Sequence, residues 1–200
     1  MKNPVQGVET IASMPDNNKE KKVTDPIQED YDKGKEALEN NELAQAAVFF
    51  HNALLGHEEK DDQNGVANAC NQLGNVCLQR KEYEKALVNY QRAWEICEKE
   101  DDAMSLLALQ KQFVLVYCGL KQYDKAVDNC LDLLDRYSDN NDPANGVAML
   151  EQLAEIYMEK GEQSKAADSY KMIASIHSNF NHKNIAKDYQ DKAEKLMTHN

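Results

Sequence analysis

Asn68, Asn71, Asn75 and Gln79 are spaced three, four and four residues apart, which places them on one stripe of a helix, with Gln72 beside them. A side-chain amide has both donors and an acceptor, so it can pair with both polar groups of a peptide backbone. A row of amides can hold an extended chain with little demand on its sequence. That is binding chemistry, not covalent chemistry. Gln112 and Gln152 follow Gln72 at intervals of 40 and would extend the row. The competing reading, solvated polar positions on a helix, stands beside this one.

Residues suited to covalent or metal chemistry lack the necessary spacing. The histidines are His51, His57, His177, His182 and His199, and none makes HExxH or a zinc pattern with cysteine. His177 and His182, near a helix break, are expected at the surface. No GxxxxGK[ST], GxGxxG or GxSxG is present. Cys118 has no activating base near it in sequence. An enzyme is therefore not expected, nor a cofactor or a metal. Cys70, Cys77, Cys97, Cys118 and Cys130 are odd in number and form no CxxC, so buried free thiols are expected.

The 200 residues carry a formal net charge of −12, which as a whole-molecule field repels nucleic acid and anionic membranes. Hydrophobic content of 42% with 29% charged residues suits a globular chain. No apolar run approaches the ~20 residues of a membrane span. The first 22 residues hold no apolar core of the ~7–15 residues a signal peptide needs, so a cytoplasmic protein is expected.

Internal repetition supplies the elements that would position the amides. Ala46, Ala86, Ala126 and Ala166 recur with a period of 40, each followed four residues on by Phe50, Tyr90, Cys130 or Tyr170. Ala37, Cys77, Tyr117 and Tyr157 precede these markers by nine, and Gly34, Gly74, Val114 and Ala154 by twelve. The polar links are too short for anything but antiparallel helix pairs. Repeats are expected over about 25–60, 63–100, 103–140 and 142–178, with a capping helix over about 183–197. Together they make one domain over 25–198, after a flexible leader over 1–24. Asp25-Pro26-Ile27-Gln28 reads as a helix start, with Asp capping and Gln reaching back. Asp142-Pro143 is a second start. Turns are expected at Asn40-Asn41, Cys118-Gly119 and Gly161, and a break at Ser178–His182.

The pattern resembles the tetratricopeptide repeat, W-x2-L-G-x2-Y…A-x3-F…P. The second unit offers Cys70-x2-Leu73-Gly74-x2-Cys77…Ala86-x3-Tyr90, and the fourth Leu150-x2-Leu153-Ala154-x2-Tyr157…Ala166-x3-Tyr170. The period exceeds the usual ~34, and the terminal Pro is replaced by Glu58, Glu98, Ser138 and Ser178. Such long units are similar to those of kinesin light chain and the peptide-binding polarity adaptors. The resemblance implies an all-α, right-handed superhelical solenoid of four helix pairs plus the capping helix, with the first helix of each pair lining a concave groove.

By the same resemblance, the groove residues are Tyr31 and Lys35 in the first unit, and Asn68, Asn71, Gln72, Asn75 and Gln79 in the second. Lys111, Gln112 and Leu115 follow in the third, and Glu151, Gln152, Glu155 and Glu159 in the fourth. Apolar anchors are expected at Tyr31, Leu78 and Leu115. The cationic set of the family's carboxylate-clamping members is incomplete here, so no such clamp is expected. The implied function is a protein–protein interaction module holding a partner peptide or helix, with basic partner residues facing the Glu151–Glu155–Glu159 stripe. A ligand-responsive sensor and a self-assembling homo-oligomer are the alternatives.

Overall fold

The computed structural model describes residues 25–198. The leader expected over 1–24, and His199, lie outside them. Nine helices run through the described residues: α1 Pro26–Glu39, α2 Leu43–Glu59, α3 Gln63–Gln79, α4 Tyr83–Lys99, α5 Ala103–Gly119, α6 Tyr123–Asp139, α7 Pro143–Glu159, α8 Gln163–Asn179 and α9 Lys183–Thr198. Each helix from α2 to α8 has 17 residues, a length of about 25 Å. The residues beyond the usual repeat length are therefore spent on longer helices, not longer loops.

The turns follow a period of 20, half the repeat. A residue with positive φ stands at 41, 61, 81, 101, 121, 141, 161 and 181, and only Gly161 is a glycine. The next residue's amide bonds to the carbonyl five residues back, as in Glu42 to Ala37 (2.8 Å), Glu82 to Cys77 (2.8 Å) and Asp142 to Tyr137 (2.9 Å). This is the Schellman closure, which satisfies carbonyls left over at a helix end. It places the turn after α5 at Leu120–Gln122, so the helix continues through the expected Cys118-Gly119 turn. A left-handed conformation costs a residue with a β-carbon about 1 kcal/mol. Lys121, at φ 57°, can be relieved of it. Lys121→Gly is expected to raise stability by about 0.5–1 kcal/mol, read from urea midpoints; a lowered midpoint would refute the reading.

The residue after each positive-φ position opens the next helix, and its side-chain length matters. Asp62, Asp102 and Asp142 accept bonds from the amides of Gly65 (3.0 Å), Ser105 (3.1 Å) and Asn145 (3.1 Å). Asp25 accepts from Ile27 at 3.1 Å. Gln28 does not reach back as expected; its amide bonds to Asp32, at 3.1 Å. Glu42, Glu82 and Glu162 make no side-chain cap. Glu82 instead pairs with Arg80 and Lys85, and Glu162 with Lys160 and Lys165.

The caps hold their carboxyls below the ordinary aspartate range, through the bond to Gly65 in Asp62, to Ser105 in Asp102 and to Asn145 in Asp142. A depressed folded value gives stability that is complete above the unfolded value near 3.8 and is lost as pH falls through the folded value. Asparagine caps equally well without titrating. The Asp62→Asn/Asp102→Asn/Asp142→Asn variant should therefore lose less stability than wild type between pH 5 and pH 3. Parallel acid losses in urea titrations would exclude the caps as a source.

Consecutive helices pack antiparallel in two layers. The odd helices touch through Gln72 and Tyr31, and through Tyr189 and Glu151. The even helices touch through Arg92 and Glu58. Within a pair, a small residue on the first helix admits a large one from the second. A β-carbon on Gly34 would lie 2.7 Å from the Phe50 ring, and one on Gly74 would lie 2.5 Å from the Tyr90 ring. The third unit reverses the sizes, with Val114 and Cys130, both buried.

The last helix, α9, occupies the place of a fifth first helix. Ala193 is fully buried, and Tyr189 stacks on His177 at 5.9 Å and 8°. His177 is thus half-buried rather than at the surface as expected, because α9 covers it. Its Nδ1 lies 3.3 Å from that of His182.

Candidate functional site

The resemblance noted from the sequence implies that the odd helices line the groove, and among the central odd helices charge is distributed unevenly. Helix α3 carries no Asp, Glu, Lys or Arg in 17 residues. Helix α5 carries Lys111 alone. Helix α7 carries Glu151, Glu155 and Glu159. The helices around them hold more, six charged residues in α4 and seven in α6, and the terminal helices α1 and α9 hold seven each. From α3 to α7 the odd helices therefore change from neutral amides to carboxylates.

The amide row splits into two parts. Tyr90 donates its hydroxyl to Asn75 Oδ1 at 2.7 Å, Asn75 Nδ2 donates to Gln72 Oε1 at 3.1 Å, and Gln72 Nε2 approaches the Tyr31 hydroxyl at 3.5 Å. This chain crosses α4, α3 and α1. It occupies the Asn75 carbonyl from inside, so Asn75 serves to orient Gln72. Burial pushes the Tyr90 phenol far above its usual range, which keeps it protonated and donating. Asn68, exposed, and Asn71, half-buried, stand outside that chain. They border a cavity of about 50 Å3 between α3 and α5. Gln79 is exposed at the end of α3.

The other expected residues have varied surroundings. Tyr31 meets Phe50 edge-on at 5.6 Å, and the Lys35 ammonium lies 5.4 Å from the Tyr31 ring while pairing with Asp32 at 2.9 Å. Lys111 lies over the buried Tyr137 ring at 5.4 Å. Gln112 and Gln152 are half-buried, at the same register as Gln72. Of the expected apolar anchors, Leu115 is 40% exposed, whereas Leu78 packs against the core of the second unit.

Gln152 and Glu155 do come together. With Cys118, Tyr123, Ile156 and Glu159 they line a cleft of about 360 Å3 between α5, α6 and α7. Burial, followed by the carboxylates of Glu155 and Glu159, pushes the Cys118 thiol up. It stays protonated at neutral pH and is a poor nucleophile. Glu151 is set apart, because α9 reaches it: it accepts from the Tyr189 hydroxyl. That bond first, then burial, moves the Tyr189 phenol up to about 12.

Two participants escaped the sequence pattern. Tyr90 reads there as scaffold on a second helix, and Tyr189 as part of a cap. Their partners lie 15 and 38 residues away, beyond any helical spacing. A tyrosine four residues after the Ala86 marker, in a pair whose first helix carries amides, was the available signal for Tyr90.

No family model matches the chain, and no curated protein matches it. Solved structures do share its shape. One is a single-residue variant of a Podosopora anserina protein assigned as a kinesin light chain, with nearly identical TPR-like repeats. It is 13% identical with a TM-score of 0.67, over 86% of this chain and 92% of that one. RapI in its apo form is 16% identical with a TM-score of 0.64, over 88% of this chain but 54% of RapI. YrrB, described as a TPR protein with an unusual peptide-binding site, is 19% identical with a TM-score of 0.54, over 86% of each chain. At these identities the likeness is one of architecture, and together with the 40-residue period it establishes the fold: the chain is an all-α solenoid of tetratricopeptide-type repeats.

Proposed function

We propose that the chain is a non-enzymatic peptide-binding protein, holding an extended partner segment along the inner faces of α3, α5 and α7. The observation that carries this reading is the uncharged, amide-bearing inner face of α3 in a chain of net charge −12. Amides without fixed charge suit the main chain of a neutral segment. The Glu155–Glu159 cleft suits a Lys or Arg at one end of that segment. YrrB supports the same use of the fold, since that protein has a peptide-binding site. Selection from a random linear peptide library tests the proposal. Enriched peptides should combine a neutral stretch with a basic residue at one consistent end. Failure to enrich any sequence, or enrichment of acidic peptides, would overturn it.

Self-assembly is a second reading, favoured by one observation. Ile185 and Met197 on the terminal helix are 43% and 48% exposed. Ile185→Lys/Met197→Lys should then lower the mass measured by light scattering; a wild type that is already monomeric removes this reading.

A further inference from the structure

The turn before α9 departs from the turns before α3, α5 and α7. Asp62, Asp102 and Asp142 cap those three helices, but the equivalent position 182 holds histidine. Histidine is not among the favoured capping residues. Five residues earlier stands His177, equivalent by the 40-residue period to His57. In the first unit His57 Nδ1 meets the Asp62 carboxylate at 2.8 Å, an ordinary hydrogen bond. In the last unit two imidazoles meet instead, Nδ1 to Nδ1 at 3.3 Å. That is longer than the ~2.7–3.2 Å of a good N–H···O bond. It matches the bite of a chelate. Two nitrogens each about 2.0–2.1 Å from one zinc ion, at the tetrahedral angle, stand about 3.3–3.4 Å apart. A right-angled, square-planar site would need about 2.8–3.0 Å. Four residues separate the pair, within the H-x3–5-H spacing by which two histidines share a zinc ion.

We propose that His177 and His182 bind a Zn2+ ion through their two Nδ1 atoms, with each Nε2 keeping its proton. Imidazole nitrogen suits zinc, whereas Mg2+ and Ca2+ take oxygen. Neighbouring rings already hold both imidazoles: His177 stacks on Tyr189, and His182 on Phe180 at 6.2 Å and 25°. Among the described residues no group of three His, Cys, Asp or Glu surrounds the pair, so water fills the other two positions of the tetrahedron. Both histidines line one cleft of about 440 Å3, ample for an ion and two waters. No cysteine completes a zinc pattern, which is why no metal is expected from the sequence; two imidazoles and two waters need none. The ion links the last turn of α8 to the residue before α9, the helix whose Tyr189 binds Glu151. It therefore fixes the capping helix, and it does so whether or not a peptide lies along α3, α5 and α7. Two protein ligands in place of four put the Kd at roughly 1–200 µM.

The probe is ZnCl2, titrated at pH 7 into the 15N-labelled 200-residue chain, with the imidazole nitrogens read in long-range 1H–15N spectra. The Nδ1 signals of His177 and His182 should shift together and saturate at one ion with one Kd, while both Nε2 signals keep the pattern of a protonated nitrogen. His182→Asn removes one ligand nitrogen from an exposed position and puts a good capping residue in its place, so the variant should fold. Its His177 should bind zinc at least about tenfold more weakly. Nδ1 signals that stay unmoved up to about 1 mM zinc, as they would if the ion went to the cysteines, would overturn the proposal. So would separate Kd values at the two histidines, or an unchanged affinity at His177 in the variant. The wild-type spectra decide the matter even where the variant does not fold.

Discussion

Gly74→Val should remove about 3 kcal/mol of folding stability. The Tyr90 ring is fully buried, and a β-carbon at 74 would lie 2.5 Å from it. The neighbour is a ring locked at the centre of the helix pair, so it cannot swing aside. Tyr90→Cys should also lose about 3–5 kcal/mol, from lost packing and from the Asn75 carbonyl left without its donor. The third unit shows that the pair can be inverted, since Val114 faces Cys130 there. The Gly74→Val/Tyr90→Cys double variant should therefore be at least about 2 kcal/mol more stable than the summed losses. Urea titrations followed by the fluorescence of Trp94, the chain's single tryptophan, give all four corners of the cycle. Additive losses would mean that the two positions do not share one space. Losses of this size are a large fraction of the ~5–15 kcal/mol available to a domain.

The second large effect is on binding. Asn68→Ala/Asn71→Ala should weaken the tightest selected peptide by roughly 30- to 150-fold, the loss of two or three neutral hydrogen bonds at about 1 kcal/mol each. Asn68 is exposed and neither amide belongs to the Tyr90–Asn75–Gln72–Tyr31 chain, so the melting temperature should hardly move. Asn52, exposed on α2, is the control: Asn52→Ala should leave affinity unchanged. Calorimetric titration separates these cases. Equal affinities for wild type and the double variant would show that these amides hold no part of the peptide.

The fold was legible because its signal repeats. Ala46, Ala86, Ala126 and Ala166 mark the same crossing four times, and all are fully buried. The 20-residue turn period was hidden because its positive-φ positions hold Asn, Asp and Lys more often than Gly. The same backbone closure forms whichever of these residues is present, so no single residue type marks the turn. The stripe from Asn68 to Gln79 was legible as a spacing, but its division into an inward-bonded Asn75 and outward-standing Asn68 and Asn71 was not. That division depends on Tyr90, which arrives from another helix. Glu151 shows the same limit, since its partner Tyr189 belongs to α9.

The central claim, that a peptide lies along the inner layer, is tested most directly by placing one there. The tightest selected peptide, carrying a nitroxide at either end in turn, is bound to the 15N-labelled protein and paramagnetic broadening is read at each amide. Broadening should be confined to α3, α5 and α7, with the label at the basic end acting on α7 around Glu155 and the label at the other end acting on α3. Broadening centred on α2, α4 or α6, or the same pattern from both ends, would contradict it.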